Sequence, residues 1–311
     1  MSLRKLVSWC LLVAPVLAQA APAPAEKPVP LRIHVIGASV SAGFRDGPLF
    51  GGTQQGDSVP LQTLLAAYTD ELATVSMHPP LAMTAMFTDP LTIGHQQVQI
   101  AKKRKPDLVV AVDFPFWFAY GYVGDQELAE RQDRLDKGLA MLVDLGVPVL
   151  VGDLPDMRGA AVRMLKPRQV PSPEVLEKLQ ARLQAFVAEH DNLHLLPLRP
   201  FVAALKSDTL QLPLADGPLT ATVPFLLQED RLHATRLGMA YLGLVMQSHL
   251  QAVLPKDHAL RERTWRFEQF VEAAGAEGDL EALCAAAAKA KAQDAARGGD
   301  RAEPPGGRGG R

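Results

Sequence analysis

Two short segments carry side chains suited to acyl transfer. The first is Gly37-Ala38-Ser39-Val40-Ser41-Ala42-Gly43, a hydroxyl set among small residues. After a strand, such a serine lies at the turn with its hydroxyl at the edge of the sheet. Free N–H groups of the turn and of a following helix N-terminus would favour developing negative charge. The alternative role for Ser39 is to cap that helix. Ser41 is the fallback nucleophile, and because position 41 is not glycine the run is no G-x-S-x-G elbow. The second segment is Asp230-Arg231-Leu232-His233. A carboxylate three residues before an imidazole can fold back, hold the Nδ1 proton and leave Nε2 facing a hydroxyl. A plain surface turn is the other explanation of such a pair.

These residues need elements to bring them together, and the chain supplies an alternating series. Leu31–Ile36 reads as a strand ending at Gly37, and residues 61–72 have helical apolar spacing. Residues 81–87 read as a second strand, 96–104 as a short helix stopped by Pro106, and 107–112 as a strand covered on both faces. A long helix over 126–145 closes at Gly146, and 147–151 is the next strand. A helix over 174–189, a strand over 193–196 and a helix over 235–254 capped by Thr235 complete the series. Five β-rich runs alternating with helices call for a parallel sheet covered on both faces, with ligands beyond the carboxyl ends of the strands. Ser39 follows the first strand and His233 the last strand-like region, so both are expected on that edge.

Composition bounds the remainder. The 311 residues carry 32 Lys+Arg against 34 Asp+Glu, which argues against a nucleic-acid binder. Residues 1–20 have a basic start at Arg4 and Lys5, an apolar run over 6–17 and a small-x-small end at Ala18-Gln19-Ala20. That is a signal-peptide pattern, and it predicts an exported protein, periplasmic or secreted, with no membrane span after cleavage. Removing it takes two basic groups and one of the two cysteines, leaving Cys284 without an intramolecular partner. Residues 21–30 read as a Pro/Ala linker, 31–255 as the main domain, 256–296 as a helical extension and 297–311 as a disordered tail.

Gly37-Ala38-Ser39-Val40 near the start and Asp230-x-x-His233 near the end, with Lys105-Pro106-Asp107-Leu108-Val109-Val110 between them, resemble the SGNH/GDSL hydrolase superfamily. The resemblance covers about residues 31–252. It implies a flavodoxin-like three-layer α/β/α sandwich and a serine esterase site, with Ser39 as nucleophile, His233 as base and Asp230 as its orienter. It also implies oxyanion donors from a glycine after the second strand and an asparagine after the third. Here the first block reads Gly-Ala-Ser-Val, residues 87–90 are Phe-Thr-Asp-Pro with Gly94 further on, and residues 113–117 contain no asparagine. The Ser39 N–H and a backbone N–H near Gly94 are the expected replacements.

Residues 114–122 hold six aromatic side chains, which either wall a substrate cleft, led by Trp117 and Tyr120, or form core under a loop. Asp113 either bonds a substrate hydroxyl or holds a loop. Arg158 either pairs with an anionic substrate group or satisfies its turn. The other histidines, His34, His78, His95, His190, His194, His249 and His258, show no metal-ligand spacing, and no phosphate-cradling motif or cofactor is called for. The expected partner is a small-molecule, glycan or lipid ester. The rival expectation is a catalytically weak or inactive glycan-binding module on the same fold.

Overall fold

The computed structural model describes residues 30–162 and 164–299. The signal-peptide reading over 1–20, the linker up to residue 29 and the tail from residue 300 fall outside the described residues. In chain order the elements are β1 (Leu31–Val35), α1 (Leu61–Thr69), β2 (Ala73–Met77), α2 (Pro80–Thr84), α3 (Pro90–Arg104), β3 (Leu108–Ala111), α4 (Phe116–Ala119) and α5 (Glu127–Val143). They continue with β4 (Val149–Gly152), α6 (Pro173–Ala188), β5 (Leu193–Leu196), α7 (Arg199–Lys206), β6 (Gln211–Leu214), β7 (Gly217–Thr220) and α8 (Val223–Leu226). The last three are α9 (Arg236–Val253), α10 (Phe267–Ala274) and α11 (Glu277–Gly299).

Five strands form one parallel sheet in the order β2-β1-β3-β4-β5, the flavodoxin-like order. The order reverses between β1 and β3, and that switch point opens the crevice in which such sheets bind ligands. β3 and β4 are buried along their whole length, which explains their unbroken apolar sequences. Helices α3, α5 and α6 pack side by side on one face, and α1, α9 and α10 on the other. The α/β/α sandwich expected from the sequence is therefore present.

The second strand is not where the sequence placed it. Residues 81–87 form α2 and a 3-10 turn, because Pro80 starts a helix and Met83 and Met86 bury themselves at helical spacing. The strand is instead Ala73–Met77, which pairs only with β1 and leaves most of its side chains partly exposed. An edge strand of that kind lacks the continuous apolar run that marks β3. Helix α3 begins six residues before the expected start, at Pro90, with Asp89 as its cap accepting from the Thr92 N–H at 3.1 Å. The β6–β7 hairpin, short and containing Pro213 and Pro218, gave no strand pattern.

Residues 256–283 are part of the packed body, while α11 beyond Leu283 is largely exposed as far as its side chains are described. Trp265 and Phe270 enclose Tyr68 of α1, with ring centroids 5.5 and 5.7 Å from it. Helix α11 runs into the first three residues of the segment expected to be disordered. No described helix is long and apolar enough to cross a membrane.

His34, in β1, is fully buried with Nδ1 2.8 Å from the Ser76 hydroxyl. Burial, helped by the charges of Arg104 and His78, lowers its pKa from 6.5 to about 4. A neutral imidazole in the fold and a protonatable one in the unfolded chain means full stability above pH 6.5, lost as pH falls towards 4. The thermal midpoint is expected to drop between pH 7 and pH 4, by on the order of 5 °C more in wild type than in His34→Leu. Parallel melting curves for the two proteins would refute this assignment.

Candidate active site

Ser39 sits one residue beyond Gly37-Ala38, where the chain leaves β1. Residues 38–44 close a single helical turn through bonds from Ala42 N to Ala38 O and Phe44 N to Ser39 O. No α-helix follows until α1 at Leu61, so neither the expected helix N-terminus nor a capping role is available to Ser39. The turn is organised by Asp113, from the exit of β3. Its Oδ1 accepts from the Ala38 N–H at 2.9 Å and the Ser41 hydroxyl at 2.5 Å. Its Oδ2 accepts from the N–H groups of Val40 at 2.8 Å and Ser41 at 3.2 Å. Gly37 has φ +152°, and a Cβ there would lie 2.3 Å from Asp113 Oδ1, so only glycine lets the carboxylate in.

Asp113 is thus the holder of the loop, not a group free to bind a substrate hydroxyl. Ser41 spends its own hydroxyl on Asp113 and drops out as a nucleophile. The Gly37 N–H goes to Gln97 Oε1 at 2.8 Å. Of the N–H groups from Gly37 to Ser41, only that of Ser39 has no acceptor among the described residues.

The imidazole comes from the loop between α8 and α9. A bridge between Leu227 and Ala234 and the bond from Gln228 N to His233 O pinch this loop shut. Arg231 turns the chain with φ 60°. Asp230 Oδ1 accepts from the N–H groups of Leu232 at 2.9 Å and His233 at 3.0 Å. Asp230 Oδ2 lies 2.5 Å from His233 Nδ1, and His233 Nε2 lies 2.8 Å from Ser39 Oγ. Hydroxyl, imidazole and carboxylate, spread over 194 positions of sequence, form one buried line.

Burial alone would push the Asp230 carboxyl up. The hydrogen bond and charge of His233, with the two backbone donors, outweigh it and hold the group below its ordinary value. An ionised Asp230 fixes the proton on Nδ1, so Nε2 accepts from the Ser39 hydroxyl. The Phe44 ring covers the imidazole at 4.4 Å. Gln228 ties the two loops together, donating to Phe44 O and Ala234 O and accepting from Asp46 N, each at 2.8 Å.

A cavity of about 150 Å³ opens beside Ser39. Apart from Ser39, Asp113 and Asp153 its walls are almost wholly apolar, including Val112, Phe116, Phe201, Leu205 and Leu242. Asp153 is occupied as an acceptor for the N–H groups of Leu198 and Arg199, and burial raises its pKa.

Four further candidates, Gly94, Tyr120, Trp117 and Arg158, have structural roles instead, which for the last three is the alternative the sequence left open. Gly94 lies inside α3, where a Cβ would meet Phe118 at 2.9 Å; it is a packing glycine with its N–H in the helix ladder, not an oxyanion donor. Tyr120 is fully buried, donates to Pro155 O at 2.7 Å, accepts from Met157 N at 3.1 Å and stacks on Phe116. Trp117 packs between Phe87 and Phe116 and lines no part of the cavity, so Phe116 is the one residue of the aromatic segment in the cavity wall. Arg158 is engaged by the Asp156 carboxylate at 2.7 Å, which its guanidinium holds down to about 2, and it too lies outside the cavity wall. Buried Arg131, which the sequence reading passed over, fixes the end of the aromatic segment by donating to Ala119 O and Gly121 O at 2.7 and 3.0 Å. No cluster of His, Cys, Asp or Glu among the described residues is arranged to hold a metal ion.

No family model matches the chain, and no curated protein matches it significantly. Several solved structures share its general course. The esterase EstA from Pseudoalteromonas sp. is 13% identical, with 71% of this chain and 97% of that chain covered and a TM-score of 0.41. The acetyl xylan esterase AlAXEase is 15% identical, with 72% and 100% covered and a TM-score of 0.42. An alpha/beta hydrolase enzyme from the metagenome of Lake Arreo, Spain, is 12% identical, with 72% and 97% covered and a TM-score of 0.42.

Proposed function

We propose that this chain is a serine hydrolase of the SGNH type, cleaving esters of apolar acyl groups through an acyl-serine intermediate. The observation that carries the reading is the unbroken line Ser39–His233–Asp230, at 2.8 and 2.5 Å, at the mouth of an apolar cavity. His233 Nε2 takes the hydroxyl proton as Ser39 Oγ attacks the ester carbonyl, and Asp230 stabilises the resulting imidazolium. The Ser39 N–H receives the oxyanion; with no asparagine nearby, it carries a load usually shared among donors. Collapse expels the alcohol, which takes its proton from His233. A water then repeats the sequence on the acyl-enzyme and frees the acid. The N-terminal pattern over residues 1–20 supports export as part of the same proposal.

The cavity walls favour an acyl chain over a sugar, because they offer few polar groups to satisfy hydroxyls. A cavity of about 150 Å³ with aliphatic walls takes a group of roughly six carbons. With a series of p-nitrophenyl esters, kcat/KM is expected to rise about fourfold per methylene, at ~0.8 kcal/mol each, up to about the hexanoyl ester, and then level off. A profile that peaks at acetyl would place the acyl group elsewhere, and no hydrolysis above background would end the reading.

A further inference from the structure

Five large apolar side chains stand well out into solvent among the described residues: Leu49, Phe50, Leu81, Phe87 and Tyr122. All five lie in the connections leaving the carboxyl ends of β1, β2 and β3. Those strands are immediate neighbours in the order β2-β1-β3, so the five residues share the edge that carries Ser39. Isolated exposed apolar residues are ordinary, but a set confined to one edge marks a contact surface.

Within these connections, the stretches that carry the five residues are uncharged. Residues 47–56, 79–88 and 114–124 contain no Asp, Glu, Lys or Arg, in a chain that is 21% charged. They are also tied to the site. Phe50 rests on Phe44 at 5.1 Å, and Phe44 on His233 at 4.4 Å. The N–H and hydroxyl of Thr53 donate to Glu229, next to Asp230, which anchors the loop bearing Leu49.

We propose that these uncharged stretches dock on a zwitterionic lipid surface, with Leu49, Phe50, Leu81, Phe87 and Tyr122 entering among the headgroups. An anionic leaflet or a polyanion would be met by Lys and Arg; these stretches have none, and Arg45, elsewhere in the first connection, is paired with Asp57 at 3.5 Å. Exposed Leu and Phe gain from leaving water whatever the headgroup charge. The apolar cavity opens at the same edge, so an acyl chain drawn from the lipid would reach Ser39 with little passage through water. That last step rests on the ester-hydrolase reading; the docking does not.

Flotation with phosphatidylcholine vesicles tests it, using the chain from Ala21 onward, which keeps every described residue and removes the apolar run at 6–17. The protein is expected to float with the vesicles. The triple variant Leu49→Ser, Leu81→Ser, Phe87→Ser should lower its partition coefficient about tenfold or more, with its rate on a soluble ester unchanged. Adding anionic lipid or high salt should change binding by no more than about twofold. If the triple variant folds poorly, Leu49→Ser with Leu81→Ser should still lower partitioning about threefold. Absence of flotation, flotation equal in wild type and both variants, or binding confined to anionic vesicles and lost in salt would overturn the proposal. So would a dimer in sedimentation equilibrium that the variants disperse while vesicles bind nothing. Vesicle binding by a protein that hydrolyses no ester would sustain the docking and refute the hydrolase reading alone.

Discussion

Ser39→Ala is expected to reduce kcat/KM for a soluble short-chain ester by about 10⁴-fold or more, because the bond-forming oxygen is gone. His233→Ala should fall by a comparable factor, since Nε2 is the group placed to take the Ser39 proton. The double variant should be no slower than either single one, because the two groups act as a unit. Initial rates on purified protein read this directly. Two losses that multiplied would mean the residues act independently. Loss in His233→Ala alone would make Ser39 a bystander. Removing the Ser39 hydroxyl leaves the buried Nε2 of His233 without its partner, which should cost about 1–2 kcal/mol of stability and leave the protein folded at assay temperature.

Asp113 is expected to be almost as sensitive, through position rather than chemistry. Four donors converge on its two oxygens: the N–H groups of Ala38, Val40 and Ser41, and the Ser41 hydroxyl. Asparagine keeps the shape but turns an N–H₂ towards a pair of those donors, so Asp113→Asn is not a mild change. It should cost about 3 kcal/mol of stability, as buried donors lose a charged acceptor. It should also lower kcat about 100-fold, the scale of a lost oxyanion donor, as the Ser39 N–H loses its aim. KM for the ester should hold, because the apolar wall is untouched. Denaturant titration and steady-state rates on the same preparation measure both effects. An asparagine variant with native stability and native kcat would show that the carboxylate is dispensable to the turn.

The parts of this architecture that are local in sequence were legible there. A continuous apolar run marked β3, Pro173 opened α6, and Thr235 capped α9 through the Gly238 N–H. Ser39, Asp230 and His233 stood out because each lies in a short motif whose chemistry is self-contained. What stayed open or escaped notice depends on distant pairing. Asp113 stood out at a strand exit with its two roles undecided, because it meets its donors across 72 to 75 positions; Gln228, which reaches Phe44 across 184, leaves no local trace. β2 was hidden because an edge strand needs no unbroken apolar run. Within the aromatic segment the error was rotational. In the single turn of α4, Phe116 faces the cavity while Trp117 is carried round towards Phe87, and Tyr120, just past its end, stacks behind Phe116.

The most direct measurement is intact-mass and peptide analysis of the protein after treatment with a fluorophosphonate, which reacts with a serine only when a neighbouring base activates it. One adduct per chain is expected, carried by Ser39, absent in Ser39→Ala and formed far more slowly in His233→Ala. A protein that stays unmodified, or carries the adduct on another residue while Ser39 is intact, would contradict a nucleophile at that turn.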